Sequence, residues 1–131
     1  MIVLDASALV DVVIDQPTKT WVLEQLEATP VCAPAHQLAE VLSALGRLVR
    51  AGELDLRLAT EAAIEASALQ QELVPPEADH LVQALEMQDR IRVLDGLYVA
   101  LAQDRVATLV TTDERLARAQ LPVALRTPTR S

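Results

Sequence analysis

Phenylalanine is missing from this chain, and aromatic residues fill only 2% of its 131 positions. The core it can build is therefore aliphatic, drawn from a 51% hydrophobic content rich in Leu, Val and Ala, with Trp21 and Tyr98 as its large rings. A lone Cys32 excludes an internal disulfide, and no Cys/His spacing resembles a zinc site. Set between Pro30 and Pro34, that thiol reads as core packing. No uninterrupted apolar run approaches the length that spans a bilayer. The opening MIVLDASALV has no basic residue ahead of its apolar stretch and meets Asp5 too soon for a signal peptide. A cytoplasmic protein without a membrane role is expected.

Positive charge is also scarce. Eleven Lys and Arg stand against 19 Asp and Glu, a net charge of −8, which argues against nucleic-acid binding through a broad basic face. A polyanionic partner must be met locally, by bound metal ions or by small groups of the arginines that supply ten of the eleven cations.

A length of 131 residues suits one domain, 1–131, able to remove roughly two-thirds of its unfolded surface from water. Ile2 to Leu4 is a short apolar run suited to a buried strand, followed by a helix to about Ile14 that Asp5 or Ser7 can cap. Pro17 suits the first turn of a second helix carrying Trp21, Leu23 and Leu26. Val31 to Ala33 reads as a strand. From about Ala35 to Ala51, Leu38, Val41, Leu42, Leu45, Leu48 and Val49 recur at helical spacing, with Gly52 where the helix should stop. Leu54 to about Gln71 predicts a second helix paired with it as a helical arm.

Glu72 to Val74 is a weak strand, Glu77 to about Asp89 a helix, and Asp95 opens another helix containing Leu97, Tyr98 and Leu101. Ala107 to Thr111 is a strand, Asp113 caps a short helix to about Ala119, and Val123 to Leu125 is a last strand before a loose tail from Arg126. Strands alternating with helices predict an α/β fold, a three-layer α/β/α sandwich around a short, mostly parallel sheet.

Such sheets carry their sites beyond the carboxyl ends of the strands. Asp5 and Asp113 fall there, at the same edge. Glu40 lies on a polar helix face with His36, Ser43 and Arg47, opposite the leucine stripe. Asp95 stands at a helix N-terminus, where unpaired N–H groups favour its ionised form. Capping is the ordinary role for Asp5, Asp95 and Asp113, and a solvated helix face the ordinary role for Glu40; a cap can also bind metal. Should the four converge, two charges 4 Å apart would repel by roughly 4 kcal/mol at an effective dielectric near 20, and a cation is needed. Oxygen-only ligands select Mg²⁺ or Mn²⁺, which suit phosphodiester hydrolysis.

Four blocks, MIVLDASALV, LAEVLSALGRL around Glu40, LDGLYVALA around Asp95 and LVTTDERLA around Asp113, resemble in order and spacing the PIN domain, and specifically the VapC-type toxins of toxin–antitoxin pairs. The likeness covers essentially the whole chain. It implies a Mg²⁺- or Mn²⁺-dependent endoribonuclease acting on RNA, inhibited by a small cognate antitoxin of VapB type and usually a homodimer. It carries over Asp5, Glu40, Asp95 and Asp113 as the acidic cluster, Asp5 and Asp95 as direct metal ligands, and Ser7 and Thr111 as supports for the metal or its waters. Gly96 and Leu94 depart from the family pattern and are expected to loosen the start of their helix. After Asp113 come Glu114, Arg115 and Leu116, without the further Asp of some relatives.

Other functions fit less well. A receiver domain needs a late lysine, and Lys19 is the only one; a haloacid-dehalogenase-like phosphatase needs Asp-x-Asp where Asp5-Ala6-Ser7 stands. A non-catalytic PIN-like binding module with the same antitoxin is the rival from another class. His36 and His80 read as surface residues. Arg47, Arg50, Arg115 and Arg118 are candidate RNA phosphate contacts.

Overall fold

A computed structural model describes residues 1–129, in five strands and seven helices. In chain order these are β1 (Ile2–Leu4), α1 (Ala6–Val13), α2 (Lys19–Leu26), β2 (Val31–Pro34), α3 (Gln37–Arg50), α4 (Leu56–Ala68), β3 (Glu72–Val74), α5 (Ala78–Glu86), α6 (Val93–Arg105), β4 (Thr108–Val110), α7 (Glu114–Arg118) and β5 (Leu125–Arg126). The strands pair in parallel in the order β3-β2-β1-β4-β5. The chain runs outward from the centre through β1, β2 and β3, then crosses back to begin again at β4. The order therefore reverses between β1 and β4, and a crevice opens at their carboxyl ends, the usual place for a ligand in such sheets.

The helices sort into two layers. α1 packs on α2, α3 and α4, whereas α6 lies on β1, β2 and β4 with α5 against it. Right-handed crossovers put these two groups on opposite faces. The layers enclose an aliphatic cluster that includes Val3, Leu4, Leu9, Val41, Leu45, Leu109 and Val110, with Cys32 buried in it.

Local chemistry explains the boundaries. α3 ends in a Schellman motif: Gly52, at φ +72°, donates to Val49 O and Glu53 to Leu48 O. Asp55 accepts from Arg57 N at 2.7 Å, so α4 starts after it, at Leu56 and not Leu54, and buries an alanine stripe of Ala59, Ala62 and Ala66. The weak strand at Glu72 forms the sheet's edge on β2.

Several expectations are corrected. Pro17 lies ahead of α2, which begins at Lys19. The tail is not loose from Arg126: that residue pairs with Val110 in β5, and its Nη1 donates to Gln25 Oε1 at 3.3 Å. The expectation for Arg130 and Ser131 lies outside the described residues. His80 is no surface residue, being only 5% exposed. Its Nδ1 accepts from Glu77 N while the Glu77 side chain accepts from the third residue of α5, a reciprocal cap that requires the ring to turn inward.

Gly96 does not loosen α6. It lets α5 approach: a Cβ there would stand 2.9 Å from Ala84 Cα and 3.2 Å from Ala84 O, backbone atoms that cannot turn aside. Overpacking of this kind costs roughly 1–3 kcal/mol, against about 1 kcal/mol at most of gained helix propensity. Gly96→Ala is therefore expected to lower the urea midpoint at unchanged m-value. A midpoint at or above that of the parent would contradict the close packing.

Candidate active site

Asp5 leaves β1 and occupies the N-cap of α1, yet its side chain makes no cap hydrogen bond. Two hydroxyls claim it instead: Ser7 Oγ donates to Oδ2 at 2.6 Å and Thr111 Oγ1 to the same oxygen at 2.7 Å. Each hydroxyl then accepts from the backbone beyond β4, Ser7 from Thr112 N and Thr111 from Asp113 N. Donors and acceptors are thus fully assigned across the β1–β4 seam, and Oδ1 of Asp5 takes no hydrogen bond among the described residues. The carboxyl is 5% exposed. Burial, with a smaller push from the Asp95 and Glu40 charges, raises its pKa to about 6 against the pull of the Ser7 and Thr111 hydrogen bonds.

Asp95 lies in the first turn of α6, two residues inside a helix that begins at Val93, and is 4% exposed. Arg92 Nε donates to its Oδ2 at 3.1 Å, and Arg115 Nη2 stands 3.8 Å from the same atom. Asp113 does cap α7, accepting from Arg115 N and Leu116 N through Oδ1, while Arg115 Nη2 reaches its Oδ2 at 3.1 Å.

Glu40 sits in the first turn of α3, and Tyr98 Oη donates to its Oε1 at 2.8 Å. His36 Nε2 lies 3.2 Å from that oxygen but off the line of a hydrogen bond, so the contact is electrostatic only. Its ring meets Tyr98 edge to face, centroids 5.2 Å apart. Burial pushes the Glu40 carboxyl up, but the His36 and Tyr98 contacts and the Arg92 charge outweigh it and hold the group below its ordinary range. The Tyr98 phenol is pushed far up, by burial first and then by the charges of Asp5 and Glu40, so it remains a proton donor.

These pieces face one cleft of about 570 Å³, lined by Asp5, Glu40, Asp95 and Asp113 together with Ser7 and Arg47. The structure thus brings all four predicted acids to one place, from four separate segments of the chain. Thr111 is fully buried behind them. Among the described residues, no three His, Cys, Asp or Glu side chains are gathered closely enough to hold a metal as they stand. The carboxylates are turned to protein partners instead, Asp95 and Asp113 to guanidiniums. The donor set nevertheless fits a hard divalent cation: it is all oxygen, and the burial that raises Asp5, with the smaller push from Asp95 and Glu40, is what a cation would offset.

The predicted phosphate contacts divide. Arg47 lines the cleft and Arg115 joins Asp113, but Arg50 lines an apolar groove between α3 and α4, and Arg118 pairs with Glu114. Residues the sequence reading missed are Arg92, His36 as a partner of Glu40, Tyr98 as a site residue, and Gln37. Arg92, at the N-cap, and Tyr98, one turn further on, flank Asp95 at i−3 and i+3, a spacing that brings each beside it and was available as a signal. Fully buried Gln37 donates to Leu4 O at 3.0 Å and exchanges hydrogen bonds with Gln71, which pins the start of α3, and so Glu40, beside Asp5.

A parallel α/β sheet with its acids at the β1–β4 switch point defines an α/β protein with a carboxylate-lined cleft, and comparison with known proteins narrows the class. The family model for the PIN domain matches residues 2–121. Ribonuclease VapC3 of Mycobacterium tuberculosis is 44% identical over 124 residues, covering 90% of this chain and 86% of the relative. Ribonuclease VapC12 of the same species is 32% identical over 118 residues, covering 90% and 91%. The crystal structure of VapBC2 from Rickettsia felis bound to a DNA fragment from their promoter superposes at TM-score 0.67 over 98% of this chain and 100% of that one, at 19% identity. The chain belongs to the PIN domain family, and within it to the VapC type.

Proposed function

We propose that the protein is a Mg²⁺- or Mn²⁺-dependent endoribonuclease that hydrolyses RNA phosphodiester bonds in the four-carboxylate cleft, held silent by a small cognate antitoxin of VapB type. The observation that carries this reading is the convergence of Asp5, Glu40, Asp95 and Asp113 on one cleft, with Asp5 destabilised by burial and by its acidic neighbours. Asp5 and Asp95 are the ligands a cation would take first, and Glu40 and Asp113 complete the oxygen set around it or its waters. When bound, such an ion supplies a water that is nucleophilic near neutral pH and a positive charge for the phosphoryl group.

The remaining work belongs to the chain. Ser7 and Thr111 fix one oxygen of Asp5 and so orient the other. Tyr98 holds Glu40 ionised and in place. Arg92 and Arg115 compensate Asp95 and Asp113 from the rim. The names of VapC3 and VapC12 support ribonuclease chemistry, and the VapBC2 assembly supports an antitoxin partner. An acidic cleft in a chain of net charge −8 suits an arginine from that partner.

Purified, antitoxin-free protein is expected to cut single-stranded RNA with Mg²⁺ or Mn²⁺ and to stop in chelator. Cleavage that survives chelation overturns the metal dependence. Absence of cleavage on any RNA with either ion would favour the non-catalytic binding module.

A further inference from the structure

Beside the acidic cleft lies a second hollow of about 280 Å³, between the segment joining α5 to α6 and helix α7. Its rim carries Arg90, Arg92 and Arg115, and its lining includes Ile91 and Leu116, both buried beneath that rim. Three guanidiniums around one hollow stand out in a chain of net charge −8. Asp89 and Asp95 line it too, so the arginines outnumber the acids.

The guanidiniums are anchored but not used up. Arg90 Nη1 donates to Gln120 O at 3.3 Å, Arg92 Nε to Asp95, and Arg115 Nη2 to Asp113. These side-chain hydrogen bonds take one nitrogen of each, while a guanidinium offers five N–H donors in a fork that matches phosphate. Arg92 and Asp95 line both hollows, so an occupant of one reaches the other.

We propose that this hollow is a subsite for the RNA backbone next to the scissile bond, its phosphate held by Arg90 and Arg115 at the rim and its sugar or base over Ile91 and Leu116. The inference rests on the ribonuclease reading and adds to it a place for the neighbouring nucleotide. A polymer with a phosphate on every residue is the occupant that fills an acidic metal cleft and an adjoining arginine hollow at once. An acidic protein segment would fill the second and be repelled by the first.

Arg90 decides the matter because it lines only the second hollow. In a cleavage-silent Asp5→Asn background, binding of a short single-stranded RNA is measured against salt for Arg90, Arg90→Gln and Arg90→Lys. Loss of one charge-assisted contact is expected to weaken binding roughly tenfold. The slope of log affinity on log salt should fall by about 0.7, with Lys retaining it. With Asp5 intact, Arg90→Gln should lower kcat/KM on an oligonucleotide more than on a dinucleoside monophosphate, a dinucleotide with no second phosphate. Unchanged affinity and slope would overturn the subsite, as would an equal loss on the dinucleotide, or an acidic peptide whose binding depends on Arg90 while RNA binding does not. If the protein with Asp5 intact cuts no RNA, the ribonuclease reading fails, while the binding slopes still judge the hollow.

Discussion

Asp5→Asn is expected to remove RNA cleavage while leaving the fold intact. Asparagine keeps the shape of the side chain, and its carbonyl oxygen can still accept from Ser7 and Thr111 across the β1–β4 seam. What disappears is the negative charge at a buried corner of the cleft, where one fixed electrostatic contribution to a transition state is worth roughly 10²- to 10³-fold in rate. The check is kcat/KM on a single RNA at saturating Mn²⁺, with circular dichroism and a urea curve on the same sample. Activity within a few-fold of the parent would remove Asp5 from the chemistry and with it the whole cleft assignment. Asp113→Ala should be milder on rate and worse for structure, because it removes the side-chain oxygen that caps α7, a loss of about 1 kcal/mol.

How much of this was legible follows from the kind of signal each residue left. Asp5 and Asp113 could be placed because short apolar runs precede them and parallel strands align their ends; Leu38, Val41 and Leu45 betrayed α3 by their period. The placement of the four acids was thus readable, by strand ends and by family likeness, whereas their roles were not. Three features escaped for physical reasons. The Gln37–Gln71 pair joins positions 34 apart, and nothing in a polar side chain tells whether its partner is water or another amide. His80 turned inward because its ring serves a local cap, which outweighs the usual preference of histidine for the surface. Gly96 looked like a weak point in a helix until the approach of Ala84 gave it a reason.

The same geometry explains why the acids can share a cleft without metal. Arg92 and Arg115 each place a guanidinium nitrogen within 4 Å of Asp95, and Arg115 also meets Asp113. Asp5 has no such cation and only hydroxyl partners, and burial pushes its carboxyl upward, whereas Glu40 is held low. The uncompensated charge is therefore localised on one residue.

Localised charge makes a second large effect measurable in the chelated protein. A carboxyl at about 6 in the folded state and near 3.8 when unfolded takes up a proton on folding between those values. Below about pH 3 both states are protonated and the group costs nothing. As pH rises toward 6 the unfolded chain ionises first, so stability falls, and above 6 the full penalty of about 3 kcal/mol, two pKa units, has been reached. Glu40, held low, works in the opposite sense and loses its contribution as pH falls. The difference between parent and Asp5→Asn isolates the first effect: relative to pH 4, where part of the penalty is already present, the variant should gain roughly 2 kcal/mol over the parent at pH 7. Urea unfolding in chelator at both pH values measures it, and Mg²⁺ should narrow the gap at pH 7 by stabilising only the parent's ionised Asp5. Parallel stability curves for the two proteins from pH 4 to 7 would show that Asp5 bears no such strain, and the electrostatic case for a cation in the cleft would go with it.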